Sequence, residues 1–219
     1  MNQNQLPSSS HNNSQQQTPT QPTQQQQQQQ PPQQQEEKKA VSFKLQDQPQ
    51  YRVFGSQGKG NGQFNGPYGI VSDQKNQQII VSDCNNHRIQ IFNLQGDYLS
   101  QFGSQGSNNN QFQCPCQLSV HPANNNLLVA DSSNYRVQMF DEQGQFVTSI
   151  GKGQLELAQA VDCSLSTHHI VIADYQRQVH IYSNDGQQLL KSFCSYGNNK
   201  DQTKGVFGIC YDDDIRVIH

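Results

Sequence analysis

Two stretches of the chain set a carboxylate, a carboxamide and a guanidinium at identical intervals: Asp83, Asn86 and Arg88 in VSDCNNHRIQIF, and Asp131, Asn134 and Arg136 in VADSSNYRVQMF. That chemistry suits a turn clasp. The aspartate accepts backbone N–H groups of the loop that follows it, and the planar arginine fork donates to loop carbonyls or to the aspartate itself. Asparagine between them tolerates the left-handed backbone such loops demand. Catalytic patterns are missing. There is no G-x-S-x-G elbow and no H-E-x-x-H. Beyond the N-terminal tail the histidines are His87, His121, His168, His169, His180 and His219, with only one adjacent pair. Cys114 and Cys116 flank Pro115 as half a zinc site, but no second close pair completes it. No catalytic residue, metal ligand or cofactor is therefore assigned.

The clasp residues recur because a whole unit recurs. QIIVSD ends at Asp83, NLLVAD at Asp131 and HIVIAD at Asp174, steps of 48 and 43 residues. Phe54-Gly55 returns as Phe102-Gly103, then as Ile150-Gly151, then as Phe193-Cys194, and Pro67 returns as Pro115. Gly96, Gly144 and Gly186 each follow their aspartate by 12 or 13 positions. Registered landmarks at a fixed step mark stacked copies of one supersecondary unit. Each unit is a series of short strands. In the first, Tyr68 to Ser72 and Gln78 to Ser82 are apolar runs, RIQIFN alternates with period two, and DYLSQF closes the unit before Gly103. Polar or glycine turns separate them, and no segment keeps a helical period. Four strands turning back on one another make an antiparallel meander. Repeated every 43–48 residues, such a sheet is a β-propeller blade, whose faces are covered by its neighbours.

The fold class read from the sequence is thus all-β. It is a propeller of four-stranded antiparallel blades at about 55–103, 104–151 and 152–194, with a partial fourth at 195–219. The third copy, IADYQRQVHIY, is one residue short, so Gln178 stands at the arginine position with Arg177 beside it, and its first strand reads AQAVDC rather than PYGIVS. QYRVF, just before the first full unit, reads as a lone outer strand. An open fan of this kind exposes blade faces and strand edges that invite self-association.

Composition divides the chain near residue 48. Residues 1–48 are rich in Gln, Asn, Ser, Thr and Pro, including an unbroken glutamine run from Gln24 to Gln30. They offer too little apolar surface to offset ordering entropy, so a disordered tail is expected there and a propeller segment over 49–219. Net charge is −3, and from Tyr51 onward 11 Lys and Arg face 14 Asp and Glu. No global basic field draws the chain to nucleic acid or anionic lipid, so such binding needs a local patch. No apolar run approaches the roughly 20 residues that span a bilayer, and no signal peptide is evident, which predicts no membrane partner. With six cysteines at irregular repeat positions, free thiols in the cytoplasm are expected.

The wording D-x-x-N-x-R-[IV]-x-[IVM]-[FY], with an F-G-x-x-G loop between units, resembles the NHL repeat, in the manner of TRIM-NHL propellers without their RING and B-box part. The resemblance covers about 51–219. It implies about six blades in a closed ring, within the range of roughly four to eight that propellers use. It also implies a recognition domain that binds proteins, or single-stranded RNA, sometimes as a substrate adaptor in ubiquitin-ligase-type regulation. No cysteine precedes Cys84, so a RING upstream is not expected. The competing class implied by a similar propeller is a peptide-amidating lyase with metal-binding histidines. Asp83, Asn86, Arg88, Asp131, Asn134, Arg136 and Asp174 are read as structural. Function is expected where copies differ on a common scaffold. His87, Tyr135 and Arg177 stand just before the arginine position, and Tyr175, Tyr68 and Lys59 lie near the same loops. Aromatic and cationic groups on a shallow polar face suit a peptide or unpaired bases.

Overall fold

The computed structural model describes residues 52–193 and residue 209. The tail and, apart from Ile209, the fourth repeat lie outside them. A short parallel pair, β1 (Ser56–Gln57) with β2 (Gln63–Phe64), precedes three four-stranded antiparallel sheets. The first blade is β3 (Pro67–Asp73), β4 (Gln78–Asp83), β5 (Arg88–Asn93) and β6 (Tyr98–Phe102). The second is β7 (Pro115–Val120), β8 (Leu127–Asp131), β9 (Arg136–Phe140) and β10 (Phe146–Ile150). The third is β11 (Ala160–Cys163), β12 (Ile170–Ala173), β13 (Val179–Tyr182) and β14 (Leu189–Phe193). Each sheet pairs its strands in chain order, the meander that period-two strands joined by tight turns require. Among the described residues the only helical elements are two short 3₁₀ turns, Cys84–Asn86 and Ser132–Asn134.

The third blade begins differently, as its altered sequence suggested. In the first two blades the register of the leading strand shifts between Pro67 and Ile70, and between Pro115 and Leu118. In the third, Ala160 to Cys163 pair with Ala173 to Ile170 without a shift. Proline carries no N–H for the ladder, and the two blades that start with it carry the irregularity.

The core lies between blades and is itself periodic. Phe92 meets Phe54, Phe64 and Tyr98 at centroid distances of 5.0, 5.6 and 6.0 Å. Forty-eight residues on, Phe140 meets Phe102, Phe112 and Phe146 at 5.0, 5.6 and 6.2 Å. The aromatic residue before each Phe-Gly glycine, Phe54 in irregular chain and Phe102 at the end of β6, thus enters the following junction. The glycine after it must bend in the left-handed region, with φ of 89° at Gly55 and 94° at Gly103. A Cβ there would meet the Phe64 ring at 2.6 Å or the Phe112 ring at 2.5 Å, which explains the Phe-Gly landmark. Ile209, 48 residues past Val161, packs against the far side of blade 3 with Ala160, Val171, Ala173 and Val179.

At the opposite end of the blades, Asp73, His121 and Ser164 occupy one repeat position and cap the first turn. Asp73 Oδ1 accepts the Asn76 N–H at 3.1 Å, His121 Nδ1 that of Ala123 at 3.3 Å, and Ser164 Oγ that of Thr167 at 2.9 Å. His121 is buried and its Nε2 has no hydrogen-bond partner. Burial chiefly, and the nearby His168 ring (6.0 Å between centroids), hold His121 below the ordinary histidine value of 6.5. The unfolded chain therefore takes up a proton at His121 before the folded chain does. Above the ordinary value this group contributes nothing. As pH falls below it, stability is lost until the folded value is reached. Urea melts of His121→Asn, which keeps a cap acceptor, are expected to fall less steeply than wild type from pH 6.5 downward. Parallel curves would exclude His121 as the source.

Candidate functional site

At one end of each blade the loop between its second and third strands meets the loop that leads into the blade. Cys84 N–H donates to Gly66 O at 3.2 Å, Ser132 N–H to Cys114 O at 3.3 Å and Tyr175 N–H to Glu156 O at 2.8 Å. Beneath this face sits the carboxylate clasp. Asp83 Oδ1 accepts the Asn65 N–H at 2.7 Å, while its Oδ2 accepts from Asn86 Nδ2 at 2.8 Å, Arg88 Nε at 2.9 Å and Gln90 Nε2 at 3.3 Å. The Arg88 fork then reaches Lys59 O, Gly60 O, Gln63 O and Gln101 Oε1 at 2.6 to 2.9 Å. Asp131 repeats this with the Gln113 N–H at 2.8 Å, Asn134 at 2.8 Å, Arg136 Nε at 2.9 Å and Gln138 at 3.1 Å.

Two local expectations are corrected. Asp83 and Asp131 accept amides of the loop before the blade, not of the loop that follows them, because that earlier loop folds across the strand end. Asp174 does accept the following Gln178 N–H, at 3.0 Å, and with it the Glu156 N–H at 3.3 Å. The left-handed residue is also not the asparagine. It is the next one: His87 at φ 55°, Tyr135 at 58° and Arg177 at 68°. Asn86 and Asn134 instead spend their amides on the aspartate and on the carbonyls of Gly58 and Gly106.

The third blade rebuilds the clasp. With Gln178 at the arginine position, His180 takes the place of Gln90 and Gln138, its Nε2 lying 3.2 Å from Asp174 Oδ2 and its Nδ1 2.8 Å from Ser192 Oγ. A proton on Nε2 satisfies the carboxylate and leaves Nδ1 to accept from the serine hydroxyl. Burial alone would raise the Asp174 carboxyl. Hydrogen bonds from His180 and from the Gln178 and Glu156 amides outweigh it and hold the group below the usual carboxylate range. The sequence reading missed Gln90, Gln138 and His180, although one polar residue recurring in RIQIF, RVQMF and QVHIY was the available sign.

The free-thiol expectation is overturned in part. Cys84 and Cys114 form a disulfide across 30 residues, while Cys116 and Cys163 are free and buried. Burial, chiefly, pushes these two thiols up to about 11 and about 12. Cysteines at different positions of adjacent units met because loops of neighbouring blades overlap. Cys194 and Cys210 lie outside the described residues.

Among the described residues, shallow grooves open on this face beside two successive copies of the left-handed turn. Lys59, Asn85, Asn86, His87, Arg88 and Gln105 line one. Asn134, Tyr135, Lys152, Gln154 and Glu156 line most of the other. Tyr135 is 46% exposed and Tyr175 59%. His87 is half-buried, its Nδ1 3.4 Å from the Cys114 amide. The structure thus brings His87 and Lys59 together and sets Tyr135 beside Lys152. Tyr175 and Arg177 flank the third copy of the loop. Tyr68, on the innermost strand and 50% exposed, lines neither groove. Among the described residues no group of three or more His, Cys, Asp or Glu could hold a metal, and no helix is long and apolar enough to cross a membrane.

Known proteins resemble the chain in sequence and in fold. Over 49 residues, 22% of this chain, it is 41% identical to Protein lin-41 of Caenorhabditis elegans, and that stretch is 4% of the relative's length. Hydrazine synthase of Kuenenia stuttgartiensis superposes with a TM-score of 0.52 and 14% identity over 65% of this chain and 38% of its own. A catalytically inactive virginiamycin B lyase from Staphylococcus aureus, solved with quinupristin, gives 0.47 and 15% over 58% and 40%. The chain therefore spans well under two thirds of each. The fold is that of a β-propeller. The sequence model of the NHL repeat matches from Phe64 to Phe92, which runs from the first clasp loop through the strand that carries Arg88. Residues 64–92 are thus an NHL repeat, set in a chain of β-propeller blades.

Proposed function

We propose that the chain is a non-catalytic recognition module that binds a protein partner through the loop face carrying His87, Tyr135 and Arg177. One observation carries this reading. Three successive blades hold a large aromatic or cationic side chain at a left-handed position, where glycine or asparagine is the less strained choice. Non-glycine residues kept in such backbone are drawn to binding sites. Lys59 and Lys152 beside two of them give each groove a cation to set against a carboxylate or phosphate. Unpaired RNA is the second reading, favoured by an exposed tyrosine on which a base can stack. Within ubiquitin-ligase-type regulation, the chain would serve as the substrate adaptor. A cytoplasmic setting belongs to the same proposal and is supported by cysteines at irregular repeat positions, of which Cys84 and Cys114 are paired.

Pull-down with and without RNase separates the two ligands. Tyr135→Ala is expected to weaken the captured partner by about 1–3 kcal/mol, roughly five- to 150-fold, if stacking contributes. Undiminished binding after replacing His87, Tyr135, Tyr175 and Arg177 together would mean the wrong face. Self-association through open blade edges belongs to the same proposal, and a compact monomer in sedimentation at high concentration would oppose it.

A further inference from the structure

The turns beside the two grooves are built alike but held differently. Cys84 opens the turn that ends at His87, and Cys114 lies in the loop that leads into blade 2, its N–H directed at His87 Nδ1. The disulfide ties these loops together. At the next junction the same two repeat positions are Ser132 and Leu157, which form no such bond. The turn is nevertheless the same there, with φ and ψ of 58° and 41° at Tyr135 against 55° and 39° at His87. Hydrogen bonds therefore suffice to form the loop, and the disulfide adds a covalent tether to one groove of the pair.

We propose that Cys84 and Cys114 form a thiol–disulfide switch on the recognition face, oxidation fixing the His87 groove and reduction loosening it to the level of the Tyr135 groove. The proposal rests on the loop face being the binding surface. The oxidant is a small disulfide such as glutathione disulfide. Cys114 is half-buried and Cys84 8% exposed, so Cys114 is the sulfur reached first. Its thiolate attacks one glutathione sulfur, forming a mixed disulfide and releasing one glutathione thiolate. The Cys84 thiolate then displaces the second. Two protein thiols and one glutathione disulfide become one protein disulfide and two glutathione thiols, and reduction runs the same steps backwards. Cys116 and Cys163 do not compete, since their raised thiols hold little thiolate at neutral pH.

Hydrogen exchange of the full chain in reduced and oxidised glutathione buffers tests this. On reduction, amides of 84–88 and 112–116 are expected to exchange about tenfold faster. They should approach the rates of 132–136 and 155–159, whose exchange through local opening should not respond even though the global midpoint falls. The Cys84→Ser, Cys114→Ser double variant should match the reduced chain and ignore glutathione. If it does not fold, the wild-type comparison still decides. Identical exchange in both redox states would overturn the switch. So would a rise spread evenly over all three blades, or a response that survives in the double variant. The readout needs no ligand, so a failed Tyr135→Ala binding test leaves the redox response of the loop measurable by itself, and unchanged exchange leaves the recognition reading standing.

Discussion

Arg88→Ala is expected to destabilise the chain by about 3–5 kcal/mol, the cost of breaking a buried ion pair from one side. The Arg88 side chain is 8% exposed and Asp83 fully buried. Its loss leaves the carboxylate without its guanidinium, and it also strips the carbonyls of Lys59, Gly60 and Gln63 of a donor. Much of the penalty is that stranded charge, so Asp83→Asn in the Arg88→Ala background should recover part of it. Arg136→Ala should follow the same pattern, since its pair with Asp131 is as deeply buried. Thermal and urea melts measure the effect. Unchanged melting with lost partner binding would make these arginines contact residues instead of scaffold.

Opening the Cys84–Cys114 bond is the second large effect. The tether closes 30 residues, and chain entropy assigns such a loop about 3–4 kcal/mol of stabilisation, less any strain it relieves. Urea midpoints with and without reductant, and of the double serine variant, should shift down together. A midpoint indifferent to reductant would mean that the clasps alone set the stability of this junction.

How much was legible follows from what is local. Strand positions, turns and blade order were readable because period-two alternation and glycine punctuation act within a few residues, and β3 to β6 fall within a residue or two of the runs from Tyr68 to Phe102. The clasp was partly readable: the Asp–Arg pairing came from residue chemistry, but Gln90 and Gln138 hid among strand positions whose polar side was taken for solvent. The left-handed site was misplaced by one residue because propensity favours asparagine, while hydrogen bonding kept Asn86 and Asn134 for the carboxylate. The disulfide could not be read, since Cys84 and Cys114 stand at unrelated positions within their own repeats and meet only between blades. His180 was visible as a histidine but not as the residue that takes the glutamine's place on Asp174.

The Phe102 side chain belongs to blade 1 by its strand and to the next junction by its contacts with Phe112 and Phe140. Phe54 stands in the same relation to blade 1. The cooperative unit is consequently the seam and not the sheet, and the chain behaves as a row of dominoes. Damage at one seam is felt fully by the blades on either side and weakly beyond them, as in a one-dimensional array of coupled sites. For anyone lengthening or shortening the array, the cut to avoid is at the Phe-Gly step, which parts the last aromatic of one blade from the rings it packs against in the next.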